Sequence, residues 1–338
     1  MEKTFSYDLI IIGAGPAGLA ASIYASRYRI KHLVLGQQPG GTIILAHKVE
    51  NYPGFPSISG PQLGQKFMEH AKSLGAEIEN KEVVEIKKEN NHFRIITNNN
   101  GQYQAKAIIV ATGTKRKSLG VPGEETYLGH GVSYCATCDA AFYKGKTVAV
   151  VGGANAACSG ALHLARFAKK VYLIYRGERL RAEPAWVQEA RENPKIEIIF
   201  NTNPLAILGD GQKVTAIALD KPYGGQKELA VDGVFIEVGG VPVAGLVKNL
   251  GVKTDEDNYL LTDNSMATNI PGIFAAGDIN AFQKNCQQVV TAVAEGAQAA
   301  LGVYQYLTSQ REKSLPKTDG GLNNKQMQNA NLKMQNEK

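Results

Sequence analysis

The sequence has no hydrophobic run long enough to cross a membrane, although 43% of its 338 residues are hydrophobic. A membrane-spanning helix needs roughly 20 consecutive apolar residues, whereas the apolar stretches here are short, as in Leu9–Ile12. The opening residues MEKTFSYD also lack the charged, apolar and cleavage regions of a secretory signal. We therefore expect a cytoplasmic protein that binds no membrane, with a chain length that favours two domains.

Cysteine is scarce, since the chain has four, and this number excludes a dense disulfide framework. Two of the four form Cys135-Ala136-Thr137-Cys138, a spacing that lets two sulfurs close and reopen a small disulfide ring. The alternative is half a zinc site, which would need two further ligands. Cys158 and Cys286 supply no such pattern, so the sequence favours a redox pair and predicts no metal.

Dense basic stretches are absent, although the net charge is +6. The short clusters Lys87-Lys88 and Lys115-Arg116-Lys117 contain no interleaved aromatic residues. A nucleic-acid surface would need a stripe of such charges on one face, so we expect no nucleic-acid partner. A mildly basic surface would still help to attract an acidic protein.

A glycine fingerprint follows the first apolar strand of the chain. The strand Tyr7–Ile12 leads into Gly13-Ala14-Gly15-Pro16-Ala17-Gly18, then a helix predicted over Leu19–Arg29 and a second strand over His32–Leu35. In this pattern the glycines allow a tight turn, close approach of a pyrophosphate and close packing of the helix on the sheet. The acidic residue that usually binds the ribose is absent, because Gly36 follows Leu35.

Two later segments indicate a flavin. Ala111-Thr112-Gly113 ends an apolar strand, and the segment Thr268–Asp278 ends in Gly277-Asp278. There the glycine permits close approach, and the carboxylate can accept hydrogen bonds from a polyol such as ribityl. Together with the pyrophosphate turn, these segments predict FAD.

A second fingerprint, Gly152-Gly153-Ala154-Asn155-Ala156-Ala157, follows the strand Thr147–Val151. A helix is predicted over Ala157–Lys169 and a strand over Lys170–Ile174. We therefore predict an α/β protein of two Rossmann-like FAD- and NAD(P)-binding domains, the second inserted into the first. The predicted boundaries are 1–115 and 247–312 for the FAD domain and 116–246 for the NAD(P)H domain, which carries the CxxC pair. A polar tail at 313–338 is expected to be disordered.

In this order the motifs resemble the low-molecular-weight, bacterial-type thioredoxin reductases, within the pyridine nucleotide-disulfide oxidoreductases. The resemblance covers about residues 5 to 310, and Cys135-Ala136-Thr137-Cys138-Asp139 is its most specific part. It implies FAD, a homodimer, two domains that rotate during turnover, and thioredoxin or a thioredoxin-like protein as partner. Cys138 would face the flavin, Cys135 would attack the partner disulfide, and Asp139 would handle protons.

The resemblance also implies two sets of binding residues. The FAD set is Gly13, Gly15, Pro16, Ala17, Gly18, Gly36, Gln37, Gly40, Gly41, Thr42, Asn51, Val84, Ala111, Thr112, Gly113, Gly277, Asp278, Gln288 and Val289. The NADPH set is Gly152, Gly153, Ala154, Asn155, Ala156, Arg176, Arg181 and Gly239.

Departures from the family pattern concentrate where the electron donor would bind. Ala154 replaces the second glycine of the fingerprint, and the usual His-Arg-Arg stretch reads Tyr175-Arg176-Gly177. Arg176 and Arg181 remain available for the NADPH 2′-phosphate, which favours NADPH over NADH. Two alternatives stay open: the same reductase fed by NADH, ferredoxin or a deazaflavin, and a flavin-dependent dithiol oxidase or redox sensor.

Three residues outside these sets are assigned structural roles. His47 is expected at the surface, Cys158 as a small buried apolar residue, and Trp186 as a packing residue. Cys286 lies in the loop after Asp278, where the family places residues against the flavin.

Overall fold

The computed structural model describes residues 5–282, 284 and 286–314. The strands of the first half are β1 (Phe5–Ile12), β2 (His32–Leu35), β3 (Glu77–Glu79), β4 (Val83–Glu89), β5 (His92–Thr97), β6 (Gln102–Val110), β7 (Thr114–Arg116) and β8 (Val132–Ser133). They are followed by β9 (Thr147–Val151), β10 (Lys170–Ile174), β11 (Ile196–Ile199), β12 (Pro204–Gly209), β13 (Val214–Tyr223), β14 (Gln226–Ala230), β15 (Gly233–Ile236), β16 (Gly240–Pro242) and β17 (Ile273–Ala275).

The helices are mostly short and lie between the strands. They are α1 (Pro16–Arg27), α2 (Gly60–Ser73), α3 (Ala136–Asp139), α4 (Asn155–Ala165), α5 (Pro184–Glu192), α6 (Gly245–Lys248) and α7 (Val289–Ser314). Two 3₁₀ turns add Gly41–Leu45 and Ala140–Tyr143. In the described part of the chain, no helix has both the length and the apolar character needed to cross a membrane.

The first sheet has the strand order β3-β2-β1-β6-β5-β4, and β17 also pairs with β6. Strands β2, β1, β6 and β17 run parallel, so their carboxyl ends meet at one edge. Leu9, Ile10 and Ile11 on the central strand are fully buried, because apolar clusters cover both faces of the sheet. Helices α1 and α7 supply much of the cluster on one face through alanines.

The second sheet has the order β11-β10-β9-β15-β8, with all neighbouring strands parallel. Apolar clusters again cover both faces, and the antiparallel sheet β12-β13-β14 packs into one of them. The antiparallel pair β7–β16, called here the ribbon, lies in sequence beside both crossings between the two sheets. The first sheet is mixed, because β4, β5 and β6 pair antiparallel, and the second is parallel. Two α/β units, each with one glycine fingerprint, are the architecture that the sequence predicts.

The boundaries of the domains remain predictions. The boundary at 246/247 falls within α6, and the boundary at 115/116 falls within β7. Residues 313 and 314 of the expected tail belong to α7, and the rest of that tail lies outside the described residues.

Candidate active site

The first glycine turn brings the ends of three strands together. Gly13 has a φ of +121°, and a Cβ on it would lie 2.1 Å from the carbonyl oxygen of Ala111 at the end of β6. Its N–H donates to the carbonyl of Leu35 at 2.7 Å, which ties the turn to β2. A Cβ on Gly18 would lie 1.8 Å from the carbonyl oxygen of Gly13, so the start of α1 needs glycine there.

Other predicted flavin residues line the same turn. A Cβ on Gly41 would lie 2.5 Å from the Cα of Gly15, and the N–H of Gly40 donates to the carbonyl of Ala14 at 2.8 Å. On the opposite side, a Cβ on Gly277 would lie 2.8 Å from the Cβ of Ala17. The turn is therefore a narrow cradle of small residues, the shape that a pyrophosphate at a helix N-terminus requires.

The remaining flavin candidates lie at the rim of the cradle. Gln37 donates to a carboxylate oxygen of Glu82 at 2.8 Å, and Val84, two residues further along, has half of its side chain exposed. The side-chain amide of Asn51 donates to Gln288 at 2.9 Å, and Val289 begins α7 beside it.

Two carboxyl groups lie near the end of β17. Among the described residues, no donor reaches the side chain of Asp278, and burial raises the pKa of this carboxyl. Glu295 on α7 is 5% exposed and accepts a hydrogen bond from the N–H of Gly277 at 2.8 Å. Burial, with a smaller contribution from the Asp278 charge, raises the pKa of Glu295 to about 7. An acceptor without a protein donor fits a ligand that brings hydroxyl groups.

Sequence reasoning missed Glu295, although a signal was present. The stretch Ala292–Ala300 consists mainly of small residues, and an acidic side chain within such a buried helix face needs a partner. That partner is the turn of Gly277 itself.

The second glycine turn repeats the geometry of the first. Gly152 has a φ of +148°, and its N–H donates to the carbonyl of Ile174 on β10 at 3.0 Å. Ala154 caps α4 with φ −105° and ψ −173°, close to the φ −84° and ψ −173° of Gly15 at the start of α1. Alanine is therefore unstrained at this position, and the departure from glycine changes only the space beside the turn.

Tyr175 lies against this second turn. A Cβ on Gly153 would be 2.3 Å from its ring, and a Cβ on Gly177 would be 2.7 Å from the other edge of the ring. Any larger residue at position 177 would collide with the Tyr175 ring, so the two residues fit together sterically. The glycine also stands where the family pattern has an arginine. The ring reduces the space where a nucleotide would approach the turn.

Three arginines surround the end of β10. Arg176, Arg179 and Arg181 are exposed, and no carboxylate in the described part of the chain forms an ion pair with them. The N–H of Arg181 donates to the carbonyl of Gly153 at 2.7 Å, which holds this residue beside the turn. Gly239 has a φ of +100°, and no atom of the described residues beyond its chain neighbours lies within 4 Å of where its Cβ would be.

Cys135 and Cys138 are joined by a disulfide, with their Cα atoms 5.3 Å apart. Cys135 caps the short helix α3, and the N–H of Cys138 points to its Sγ at 3.2 Å. Ala136 packs on Gly160 of α4, where a Cβ would come within 3.2 Å. The redox pair thus packs on the same helix that begins at the second glycine turn.

Asp139 ends α3, and its N–H donates to the carbonyl of Cys135 at 3.2 Å. Its charge contributes to the raised pKa of Tyr143, for which burial is the larger cause. The carboxylate therefore lies close to both the disulfide loop and a tyrosine hydroxyl.

The second glycine turn also meets the flavin candidates of the first unit. Asn51 donates to a carboxylate oxygen of Glu183 at 3.1 Å, and the side chain of Asn155 donates to the same oxygen at 3.0 Å. Lys48 lies 5.8 Å above the ring of Trp186, which packs at the edge of an apolar cluster as predicted. In this arrangement the second glycine turn, rather than the disulfide, is linked by hydrogen bonds to a predicted flavin residue.

The expectation that His47 is a surface residue needs correction. Its ring is half-buried against that of His163 on α4, with centroids 4.3 Å apart. Burial, followed by the nearby His163, Arg166 and Lys48, lowers the pKa of His47 to about 4, while Glu50 acts in the opposite sense. The two rings belong to the contact between the units.

The two remaining cysteines differ from each other. Cys158 is fully buried on α4, and burial raises the pKa of its thiol to about 11, so it acts as a packing residue. Cys286 is exposed in the segment before α7. Among the described residues, no group of three or more His, Cys, Asp or Glu side chains is placed to hold a metal ion.

Comparison with known proteins identifies the family. The model of the pyridine nucleotide-disulphide oxidoreductases matches residues 7–296. The thioredoxin reductase of Listeria innocua is 43% identical over 311 residues, which cover 90% of this chain and 95% of that protein.

Two solved structures are informative. Lactococcus lactis thioredoxin reductase in its FR conformation is 41% identical, with a TM-score of 0.86 over 90% of this chain and 99% of that chain. A ferredoxin-flavin thioredoxin reductase from Clostridium acetobutylicum is 36% identical, with a TM-score of 0.50 over 91% of this chain and 100% of that chain. With its disulfide packed beside the second of two glycine turns, this chain belongs to the pyridine nucleotide-disulphide oxidoreductases and, among them, to the low-molecular-weight thioredoxin reductases.

Proposed function

We propose that this protein reduces the disulfide of thioredoxin or a thioredoxin-like protein, taking an electron pair from NADPH by way of FAD and the Cys135–Cys138 pair. The observation that carries the proposal is the disulfide itself, which packs through Ala136 on α4, the helix that begins at the second glycine turn. The redox pair therefore belongs to the second unit and packs on the helix of its nucleotide turn.

The first unit supplies a site that suits FAD. Gly13, Gly15 and Gly18 form a cradle for the pyrophosphate, and the unpartnered Asp278 carboxyl is placed to accept hydrogen bonds from the ribityl chain. Bound FAD would supply the chemistry that side chains lack, the transfer of an electron pair between a nicotinamide and a disulfide. Glu295 holds the Gly277–Asp278 turn in position.

The two cysteines have different environments, which supports different roles. Cys135 receives the N–H of Cys138 at 3.2 Å, a contact that would stabilise its thiolate once the pair is reduced. Cys135 then attacks the partner disulfide, and Cys138 resolves the mixed disulfide by forming the internal disulfide again. Asp139 takes and returns the proton, because it follows the pair directly and is half-buried.

A protein partner is supported by Phe142. Its side chain is 73% exposed, three residues after Asp139, while the adjacent Tyr143 is buried. A large apolar side chain presented beside a redox disulfide suits docking of a second protein. Small disulfides would need no such contact.

NADPH is the proposed donor because Arg176 and Arg181 carry unneutralised charges beside the second turn. Guanidinium groups suit the 2′-phosphate that distinguishes NADPH from NADH. A second candidate is the same reductase with another donor, such as NADH, a deazaflavin or ferredoxin. The ring of Tyr175 against Gly153 and the methyl group of Ala154 favour it, because both reduce the space for a pyrophosphate.

The second unit has to rotate for the cycle to proceed. In the present arrangement Asn51 and Asn155 both donate to the same carboxylate oxygen of Glu183, so the second glycine turn faces the flavin site. A rotation of the second unit about the ribbon would bring Cys138 to that site instead. We further propose a cytoplasmic homodimer, whose mass size-exclusion chromatography with light scattering would measure.

The proposal is tested by trapping the partner. Cys138→Ser leaves the attacking thiol without its resolving partner, so it should accumulate a mixed disulfide with thioredoxin that appears on a non-reducing gel. Cys135→Ser is the matched control and should trap none. Substantial thioredoxin turnover by either variant would show that the pair is not the redox centre.

A further inference from the structure

Glu237 lies where three elements meet: the second glycine turn, the short helix α3 that carries the disulfide, and the ribbon. It follows β15 directly, its N–H donates to the carbonyl of Val151 at 2.8 Å, and its own carbonyl oxygen blocks any Cβ on Gly152, at 2.2 Å. The backbone of Glu237 is therefore packed against the turn that begins α4.

The side chain of Glu237 connects the ribbon to the disulfide helix. Its carboxylate is 3.2 Å from the guanidinium of Arg116, and it accepts a hydrogen bond from the backbone N–H of Ala136. Arg116 ends β7 and pairs with Gly240 of β16, so its position is fixed by the ribbon. Only 11% of the Glu237 side chain is exposed.

Two groups stabilise the negative charge of the buried Glu237 carboxylate. Burial raises the pKa of Glu237, whereas the charge and hydrogen bond of Arg116 and the N–H of Ala136 lower it. A buried carboxylate without a partner is costly, so Arg116 is the group that allows the charged form. Ala136 follows Cys135 directly in the chain, so the ion pair lies beside the segment that carries the redox pair.

We propose that Glu237 is a positioning residue for the Cys135–Cys138 pair, whose charge, balanced by Arg116, sets how readily the reduced cysteines lose a proton. The inference rests on the proposed function in taking the pair as redox-active. The step concerned is ionisation of a thiol, in which the S–H bond breaks and the proton passes to Asp139 or to solvent. With the carboxylate and guanidinium both present, their effects on the developing thiolate largely cancel.

Removing only the carboxylate charge should therefore favour the thiolate. In Glu237→Gln the amide oxygen still accepts the N–H of Ala136, while the charge of Arg116 is left unbalanced. At separations of 6–8 Å near a protein surface, one unbalanced charge lowers a thiol pKa by about one unit. The thiolate fraction at pH 7 then rises by up to about tenfold.

The test is the pH dependence of alkylation in the FAD-loaded protein after chemical reduction of the disulfide. Iodoacetamide labelling is followed by mass spectrometry of the peptide 118–144, which contains Cys135 and Cys138 but neither Cys158 nor Cys286. Glu237→Gln is compared with the parent, with the double variant Arg116→Gln/Glu237→Gln, and with Glu228→Gln, which removes an exposed carboxylate on β14.

We expect a lower labelling pKa in Glu237→Gln, the parent value in the double variant, and no change in Glu228→Gln. An unchanged pKa in Glu237→Gln would overturn the proposal. So would a shift that persists in the double variant, because it would then come from altered structure rather than from charge. The labelling experiment needs neither a nucleotide nor thioredoxin. The proposal for Glu237 can therefore fail while the proposed reductase activity holds, and the reductase proposal can fail while this one holds.

Discussion

At the scale of single residues, the proposed donor site carries exposed positive charges that would distinguish NADPH from NADH. Arg176 and Arg181 are exposed on either side of Arg179, and among the described residues none of the three has a carboxylate partner. A charge-assisted hydrogen bond to a phosphate contributes about 1.5–3 kcal/mol, so loss of one contact weakens binding by roughly tenfold or more. NADPH has the 2′-phosphate and NADH lacks it, so a change in charge should separate the two.

We predict that Arg176→Ala/Arg181→Ala raises the KM for NADPH by roughly tenfold or more and leaves the KM for NADH nearly unchanged. Arg179→Ala is the matched control, because Arg179 is equally exposed but outside the predicted binding set. Initial rates with each nucleotide provide the measurement. Equal losses in the double variant and in Arg179→Ala would show that general positive charge, rather than a specific phosphate contact, is what matters.

Glu295 should make stability depend on pH in an unusual direction. Its folded pKa of about 7 lies above the ordinary value of 4.5, because of burial. The folded protein thus holds a proton that the unfolded chain loses above pH 4.5, so this residue's contribution falls as the pH rises from 4.5 to 7.

Glu295→Gln should remove that loss. Between pH 5 and pH 8 the free energy of unfolding should therefore fall by on the order of 2 kcal/mol less in the variant than in the parent. Urea unfolding of both proteins at the two pH values measures the difference. Glu312→Gln, an exposed carboxyl on the same helix, should have no such effect. Parallel pH profiles for the parent and Glu295→Gln would contradict this assignment.

At the scale of elements, the two strand–turn–helix units share the same backbone geometry at their glycine turns, but the turn positions differ in how much space they leave for a side chain. Gly18 has a backbone oxygen 1.8 Å from where its Cβ would be, whereas the nearest atom to a Cβ on Gly15 is 3.6 Å away. Ala154 occupies the position equivalent to Gly15 in the second unit with nearly the same φ and ψ. One glycine therefore serves the packing of the fold, and the other leaves space for a ligand.

Gly18→Ala should destabilise the protein by about 1–3 kcal/mol or more, because the helix must move away from the strand. Gly15→Ala should retain the stability of the parent in the absence of flavin but bind FAD more weakly. Thermal unfolding and flavin titration of both variants separate the two effects. Equal stability of the two variants would contradict the packing argument.

The parallel strands around the two glycine turns can be predicted from the sequence, whereas the antiparallel strands such as β4, β5 and β12–β14 are not located by it, and helix ends are only approximate. Apolar runs such as Lys170–Ile174 give the strand bounds directly, because a central parallel strand is buried on both faces. The first helix begins at Pro16 rather than at the predicted Leu19, since proline fits the first helical position. The second begins at Asn155 and ends at Ala165, not Ala157 and Lys169.

The steric pairing of Tyr175 with Gly153 and Gly177 could not be predicted, because it depends on which rotamer the tyrosine adopts. The partners of Glu237 also come from segments distant in sequence, Arg116 and Ala136, which periodicity cannot relate. By contrast, the redox pair and both glycine turns consist of residues close together in sequence, so the sequence alone predicts them.

At the scale of the whole molecule, the contact between the two units contains a pair of histidines. His47 and His163 face each other, with Arg166 and Lys48 adding positive charge and Glu50 opposing it. The pKa of His47 is about 4 in this contact against 6.5 when free. As the pH falls from 6.5 towards 4, His47 is protonated in the unfolded chain but stays neutral in the contact, so the folded contact loses stability.

We predict that His47→Asn reduces the loss of stability between pH 7.5 and pH 5 by on the order of 1 kcal/mol, after allowance for solvent screening. The thermal unfolding of the parent and the variant at both pH values measures this. His130→Asn, at an exposed position, serves as the control and should behave like the parent. An identical acid-induced loss in the parent and His47→Asn would contradict the role of the pair.

In this reductase, electrons leave the molecule through Cys135 and Cys138 to thioredoxin. The most direct measurement is to reduce the FAD-loaded protein anaerobically with dithionite, remove the excess, add oxidised thioredoxin and count the thiols formed on it. This avoids any dependence on the nucleotide donor. We predict that the parent transfers electrons rapidly, with two thiols per thioredoxin disulfide reduced, and that Cys135→Ser forms none. Absence of thioredoxin thiols with the parent, or equal yields from the parent and Cys135→Ser, would contradict the account.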